Sequence, residues 1–391
     1  MDEVRFGIIG CGNMGTGHAK NFLDGKITDA RITAVCDINP KKFDFFKEKF
    51  GETINYYLDA EAMMRSGDVD CVMICTPHYI HPDLAILAMD VGVHCIVEKP
   101  AGVYTLQVKK MLERVKTANT IVGIMFNQRT NPAFKKMKAM IAEGKIGEIK
   151  RTNWIITDWY RTQYYYDSGA WRATWVGEGG GVLYNQSPHQ LDLFSWIIGM
   201  QPSKVRAFCH FGKWHDIEVE DDVTCYCEYP NGATGVFITT TADAPGTNRF
   251  EVTGTKGTLI YERDSFTDAN KLYYKELVVD EREHCYTSKT GFNKPECKPT
   301  VEIEIDSCNP QHVGICQNVT NAILGKEALY APATDGLNGV ELANAMLLST
   351  WLDKDVSLPI DDELFWAELQ KRIAVSVPRE EPTEVKVEAQ G

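Results

Sequence analysis

From Val4 to Met125 short, mostly apolar runs alternate with stretches of helical spacing. Val4–Ile9, Arg31–Cys36, Ile54–Tyr56, Asp70–Cys75, His94–Val97 and Ile121–Met125 have the length and apolar content of buried strands. A helical pattern begins at His18–Leu23 and recurs in His81–Val91, through Leu84, Ile86, Leu87 and Met89, and in Leu106–Ala118. Such alternation with short connections predicts βαβ units on a parallel sheet over residues 1–126.

After Asn127 the texture changes. One helix is expected at Ala133–Glu143 and a strand region at Ile149–Tyr160, followed by the glycine cluster Gly177–Gly181 and a helix over Pro188–Ile198. From Lys204 to Glu262 strand-like runs follow one another, with turn signals at Asn231-Gly232, Pro245-Gly246 and Lys256-Gly257, which predicts a mostly antiparallel sheet. Helices return at Gln311–Leu324, Gly339–Leu352 and Glu363–Ile373. Residues 127–375 are therefore read as a second, α/β domain. Residues 376–391, rich in Glu, Pro and Val, are expected to form a flexible acidic tail. No internal repeat is present.

Composition narrows the class of function. The chain has 391 residues, 44% hydrophobic and 24% charged, as a soluble protein of two or three domains has. With 41 basic and 54 acidic residues the net charge is −13, so neither nucleic acid nor an anionic membrane is the expected partner. The N-terminus lacks a signal-peptide pattern and no apolar run is long enough to span a bilayer. The twelve cysteines contain no CxxC, and they are expected to be buried, reduced thiols of a cytoplasmic protein.

Candidate chemistry begins at Gly10-Cys11-Gly12-Asn13-Met14-Gly15, which follows the first strand and opens a helix. In that context Gly10 allows the tight turn, Gly12 lets a pyrophosphate approach the backbone and Gly15 permits close helix–strand packing. The helix N-terminus offers free N–H groups to the phosphates. Asp37, 22 residues after Gly15, ends the second strand where a carboxylate binds ribose hydroxyls and repels a 2′-phosphate, so NAD is favoured over NADP. The competing reading is a glycine turn followed by a surface Asp.

Further motifs occur in order: Cys75-Thr76-Pro77 with His81, Glu98-Lys99-Pro100, Asn127 with Arg129 and Asn131-Pro132, and Gly179-Gly180-Gly181 with His189 and Asp192. Together with the glycine loop they resemble the glucose–fructose oxidoreductase / inositol dehydrogenase / rhizopine-catabolism (Gfo/Idh/MocA) family from about Val4 to Leu352. The resemblance implies an N-terminal Rossmann domain and a C-terminal α/β domain with a large, mostly antiparallel open sheet that binds substrate and mediates assembly into a homodimer or homotetramer. It also implies redox chemistry with a nicotinamide on a sugar or polyol. Cofactor contacts would come from Gly10, Gly12, Asn13, Met14, Gly15, Asp37, Thr76, Pro77, His81, Glu98, Lys99 and Asn127. Substrate contacts would come from Lys99, Arg129, Trp159, Tyr165, Trp171, Arg172, Asn185 and His189.

Lys99 and His189 are the expected catalytic pair. Oxidising an alcohol needs a base for the hydroxyl proton and a cation or donor on the developing carbonyl oxygen. Lys99 lies just past the carboxyl end of a buried strand, where α/β sheets place ligands, and Glu98 is placed to orient it. On the family pattern the Lys99–Pro100 bond is cis. His189 suits proton exchange near neutrality. By themselves, a lysine in a Pro turn and a helical histidine are also ordinary surface residues. Two positions depart from the resemblance. Many members carry Asp where this chain has Asn185, which either leaves His189 to act without that charge or binds a substrate hydroxyl. His78 replaces a common Asn and forms His-x-x-His with His81, but no acid or Cys cluster completes a set, so no metal site is expected.

Between Trp154 and Trp175 eight of 22 positions are Trp or Tyr. This segment, with Arg161 and Arg172, is either a wall for a sugar ring or a packing and assembly surface. The leading expectation is an NAD-dependent oxidoreductase that converts a ring secondary alcohol of a sugar, glycoside or cyclic polyol to a ketone, or the reverse. An NAD-dependent glycosidase working by transient oxidation and elimination, and a non-catalytic NAD-binding regulator, are the alternatives.

Overall fold

The computed structural model describes residues 2–379 except Ser265 and Asp268. Six parallel strands form the first sheet, in the spatial order Asn55–Tyr57, Ala30–Cys36, Val4–Ile9, Cys71–Ile74, His94–Val97, Val122–Ile124. This is the 3-2-1-4-5-6 order of a doubly wound Rossmann sheet, with its switch point between Val4–Ile9 and Cys71–Ile74. The central strands are apolar on both faces because helices cover both, and Phe6, Ile8, Val72, Ile74 and Val97 are fully buried.

The second sheet has nine strands among the described residues, in the order Val301–Glu302, Asn270–Glu276, Gly257–Arg263, Asn248–Gly254, Ile149–Ile156, Thr234–Thr240, Glu220–Glu228, Lys204–Phe211, Val356–Ser357. All its pairs are antiparallel except Ile149–Ile156 with Thr234–Thr240. Alternating burial along Glu220–Glu228 and Asn248–Gly254 shows one face turned to the core and one left uncovered. On the covered face lie helices Pro188–Trp196 and Gly336–Leu352. Trp154 is fully buried there, stacked on Phe250 at 4.3 Å with its indole N–H on Asn248. Burying a ring of that size contributes about 3 kcal/mol.

Several expectations need amendment. The strand expected to reach Tyr160 ends at Ile156, and short helices at Asp44–Phe50, Ala60–Arg65 and Glu281–Thr287 carried no clear period. Residues 311–340, expected in the second domain, return to the first: Ile315, Cys316, Val319 and Val340 join its core, and Ile124 N–H donates to Ala331 O. Helix Gln311–Ile323 needs an apolar surface for its buried stripe, and the edge of the parallel sheet supplies it. The expected flexible tail is anchored at its start, where Ser376 and Val377 donate to Glu218 and Arg379 pairs with Asp167; residues 380–391 lie outside the described residues. Nine cysteines are buried or half-buried, but Cys285, Cys297 and Cys308 are exposed in the excursion after Glu276. Among the described residues no helix is long and apolar enough to cross a membrane.

Candidate active site

The carboxyl ends of the parallel strands bring the first group of expected residues into one crevice. Gly10 has φ +95°, and a Cβ there would stand 2.6 Å from Cys75 O; at Gly15 it would stand 2.0 Å from Gly10 O. Gly12, by contrast, faces open space and precedes the first turn of helix Asn13–Leu23, where Met14 is exposed. That combination fits a dinucleotide: a backbone surface left bare beside free helical N–H groups. Asp37 stands at the end of the adjacent strand, its carboxylate accepting from Cys11 N (2.9 Å) and Asn39 N (2.8 Å). Buried Thr76 Oγ1 and Asn127 Oδ1 have no protein partner, so both are available to a bound group.

Glu98 and Lys99 follow strand His94–Val97, and the Lys99–Pro100 peptide is cis. Glu98 does not hold the lysine's ammonium. Its carboxylate takes the Lys99 main-chain N–H (3.2 Å) and pairs with His18 Nε2 at 2.6 Å. Burial alone would raise the Glu98 pKa, yet the His18 hydrogen bond and the field of His18, His312 and Lys99 bring it down to about 2. His18 and His312 were not anticipated. His18 follows Gly15 by three residues, a signal the glycine motif contains, whereas His312 arrives from a distant helix and packs edge-on against His18.

Lys99 Nζ points across to the second domain and donates to the main-chain oxygen of Asn185 at 2.9 Å. Burial lowers its pKa, opposed by Glu98. The segment that receives it is built on the glycine turn Gly179–Gly181, fastened by Glu220, whose carboxylate accepts from Gly181 N and Leu183 N. His189 opens helix Pro188–Trp196, one turn after Asn185, with Pro188 at the first helical position. It is 8% exposed, its Nδ1 has no protein partner, and burial with the nearby Lys99 charge pushes its pKa well down. The imidazole is therefore neutral at pH 7.

Asn185 Oδ1 accepts from Tyr165 Oη at 2.8 Å, and Arg172 donates to the same hydroxyl at 2.8 Å. Arg172 also lies over the rings of Tyr165 and Trp171, and Trp171 packs edge-on against His78. Sequence reasoning missed Glu178, which is 1% exposed and accepts from Asn185 Nδ2. An acid embedded in Gly177-Glu178-Gly179 was the available signal, since a charge inside a glycine turn has few structural reasons to be there. The aromatic segment divides: Trp154, Tyr166 and Trp175 belong to the core, Tyr160 and Tyr164 are exposed, and Tyr165 and Trp171 join the site.

Two expected contacts, Arg129 and His81, have their polar atoms engaged by the protein, and a third, Trp159, lies at the margin. Arg129 is fully buried, gripped by Asp192 through two hydrogen bonds and by Asp335 through a third, so its guanidinium fastens the domains instead of facing substrate. His81 is buried with its ring nitrogens on Thr76 O (2.7 Å) and Pro100 O (2.9 Å), and it ties together the two loops that border the crevice. Trp159 packs against Arg161 and Arg263, and Arg161 in turn lies over the Tyr165 ring, so Trp159 borders the site at one remove. As for metals, His78 Nδ1 faces Glu178 O, while an unforeseen trio of His18, Cys75 and Glu98 comes within 4.8 Å. Within the trio His18 Nε2 and Glu98 are hydrogen-bonded at 2.6 Å, and burial raises the Cys75 thiol well above its ordinary pKa.

Known proteins resemble this chain in sequence and in fold. Residues 4–126 match the model of the oxidoreductase family with an NAD-binding Rossmann fold, and residues 134–260 match that of the GFO/IDH/MocA C-terminal domain. Myo-inositol 2-dehydrogenase of Thermotoga maritima is 28% identical over 261 residues, 65% of this chain and 74% of that one. Levoglucosan dehydrogenase of Pseudarthrobacter phenanthrenivorans is 27% identical over 303 residues, covering 67% and 75%. The WlbA dehydrogenase of Bordetella pertussis, solved with NADH and UDP-GlcNAcA, superposes with a TM-score of 0.75 at 23% identity over 92% of this chain and 100% of that one, which shows the shared fold.

Proposed function

The chain belongs to the GFO/IDH/MocA oxidoreductases, with an NAD-binding Rossmann domain at residues 4–126, and from that premise we propose that it is an NAD-dependent dehydrogenase of a sugar, glycoside or cyclic polyol. The observation that carries the reading is the convergence of Lys99, a half-buried ammonium tied to Asn185 O, with His189 on the following turn, neutral and with Nδ1 free of any protein partner. The named activities of the inositol and levoglucosan dehydrogenases support the substrate class.

When bound, NAD supplies the hydride acceptor. Lys99 has two ammonium protons left for the carbinol oxygen, and His189 takes the hydroxyl proton as the ketone forms. Tyr165, Trp171 and Arg172 offer an aromatic face and a donor for the rest of the ring. Gly12, Thr76, Asn127 and Asp37 hold the dinucleotide. Assembly into a homodimer or homotetramer would use the uncovered sheet face, where Phe208 and Tyr226 are exposed.

A panel of sugars, glycosides and inositols with NAD tests this, read by NADH absorbance and by loss of two hydrogens in the product. Lys99→Ala and His189→Ala should each lower kcat by about 10²–10⁴ while NADH binding persists. Release of an aglycone with no ketone and no net NADH would replace the dehydrogenase by the glycosidase.

A further inference from the structure

Both polar atoms of the Asn185 side chain have protein partners. Oδ1 accepts from Tyr165 Oη (2.8 Å) and Gln186 Nε2 (3.2 Å), and Nδ2 donates to Glu178 Oε1. Its main-chain oxygen receives Lys99 Nζ. Glu178 receives one donor on each oxygen: Oε1 takes the Asn185 amide, and Oε2 takes the N–H of Ala173, at 2.6 Å, in a turn where Ala173 itself has φ +58°. The acid is buried between these two donors, with Arg172 and Lys99 as the nearest cations.

The chemistry of the two side chains makes them a matched pair. A carboxylate presents only acceptors, so it faces two N–H groups without conflict, and it forces the Asn185 amide to turn Nδ2 inward and Oδ1 toward Tyr165. We infer that Glu178 is a positioning residue of the reaction: its hydrogen bond fixes the orientation of Asn185, whose main-chain oxygen holds the Lys99 ammonium and whose Oδ1 holds the Tyr165 hydroxyl. This rests on the dehydrogenase reading of the same site.

The pairing dictates how substitutions combine. Asn185→Asp alone sets two carboxylates against each other in a buried space. Glu178→Gln alone leaves an amide NH₂ facing either the Ala173 N–H or the Asn185 amide, donor against donor. With both changes, the new amide donates to the new carboxylate and its oxygen accepts from Ala173 N, so every bond has a partner again. The experiment is the four-variant cycle on the full chain, measured by thermal unfolding, by NADH binding, and by kcat and KM on the substrate that the panel identifies.

Each single change should lower kcat about tenfold or more, with a smaller change in KM, and should lower the melting temperature. The double variant should recover kcat to within about threefold of wild type. NADH affinity should stay within about twofold throughout. Losses that simply multiply in the double variant would overturn the pairing, and wild-type kcat in Glu178→Gln would overturn the positioning role. If wild type turns over nothing in the panel, the dehydrogenase reading falls and the positioning role with it, while the four melting curves, which need no substrate, still decide whether the pair is matched.

Discussion

At Gly12 an added Cβ would meet nothing within 4 Å, whereas at Gly179, Gly180 and Gly181 it would run into Val103, the Tyr184 ring and the Glu220 main-chain oxygen at 2.3, 2.1 and 2.0 Å. The chain thus has two glycine turns of different kinds. In the first, Gly10 and Gly15 serve close packing and Gly12 leaves a bare surface for something outside the chain. In the second, each glycine is there because the protein itself comes too close. Glycine clusters in a sequence look alike in both cases. Only the surroundings separate a ligand cradle from a tightly packed wall.

A buried glutamate attends each turn, and the two have opposite electrostatics. Glu98 is held at about 2 by His18, His312 and Lys99, while Glu220 is pushed up to about 8 by burial that the N–H groups of Gly181 and Leu183 offset only in part. The first keeps its charge in a cationic crevice. The second is largely neutral at pH 7 and acts as a fastener for backbone.

The largest expected effect comes from putting a methyl group into each turn. Gly181→Ala places a Cβ on a main-chain oxygen that sits in a strand and cannot easily retreat. It should cost about 3 kcal/mol or more of stability, seen as a lower denaturant midpoint. Gly12→Ala should leave stability within about 0.5 kcal/mol and weaken NADH binding about tenfold or more, measured by fluorescence titration. Equal stability losses in both variants, with NADH affinity kept at Gly12→Ala, would erase the distinction.

The next effect is one of pH. Glu220 has a folded pKa raised above its unfolded value, so its contribution is fully present below about 4.5 and is lost as pH rises through about 8. Glu98 runs the other way: its contribution is present above about 4.5 and is lost as pH falls toward about 2. Glu220→Gln should therefore gain on wild type between pH 5 and 8.5, by an amount on the order of 3 kcal/mol. Denaturant unfolding at several pH values checks this, and parallel curves for variant and wild type would remove the raised pKa from the account.

The first turn was legible in the sequence because its information is local. Strand, glycines, helix and Asp37 fall within 34 residues, each constrained by backbone geometry alone. Lys99 and His189 likewise stand in motifs whose parts are neighbours in the chain. What was not legible depends on partners far apart: His18 with Glu98, Gly181 with Glu220, Arg129 with Asp192 and Asp335. Arg129 shows the limit best. Its motif suggested a ligand, yet two acids from other elements had already claimed the guanidinium. The aromatic segment shows another limit, since density of Trp and Tyr does not say which rings face the core.

The smallest expected effect sharpens the first turn further. Asp37 takes part in that turn from the neighbouring strand, where it accepts the N–H of Cys11 between Gly10 and Gly12. It also accepts from Asn39 N, but a carboxylate has about four acceptor positions, so two backbone bonds leave room for ribose hydroxyls. Asp37→Ala would remove both the hydroxyl acceptor and the repulsion toward a 2′-phosphate. The Cys11 and Asn39 N–H groups each lose an acceptor, so stability should fall by about 1 kcal/mol. NADH should bind several-fold more weakly and NADPH should bind somewhat better, bringing the two affinities together. Titration of both dinucleotides against wild type and variant measures the ratio. A wild type that already prefers NADPH would show that the carboxylate does not face the ribose at all, and that its service to Cys11 and Asn39 is its whole role.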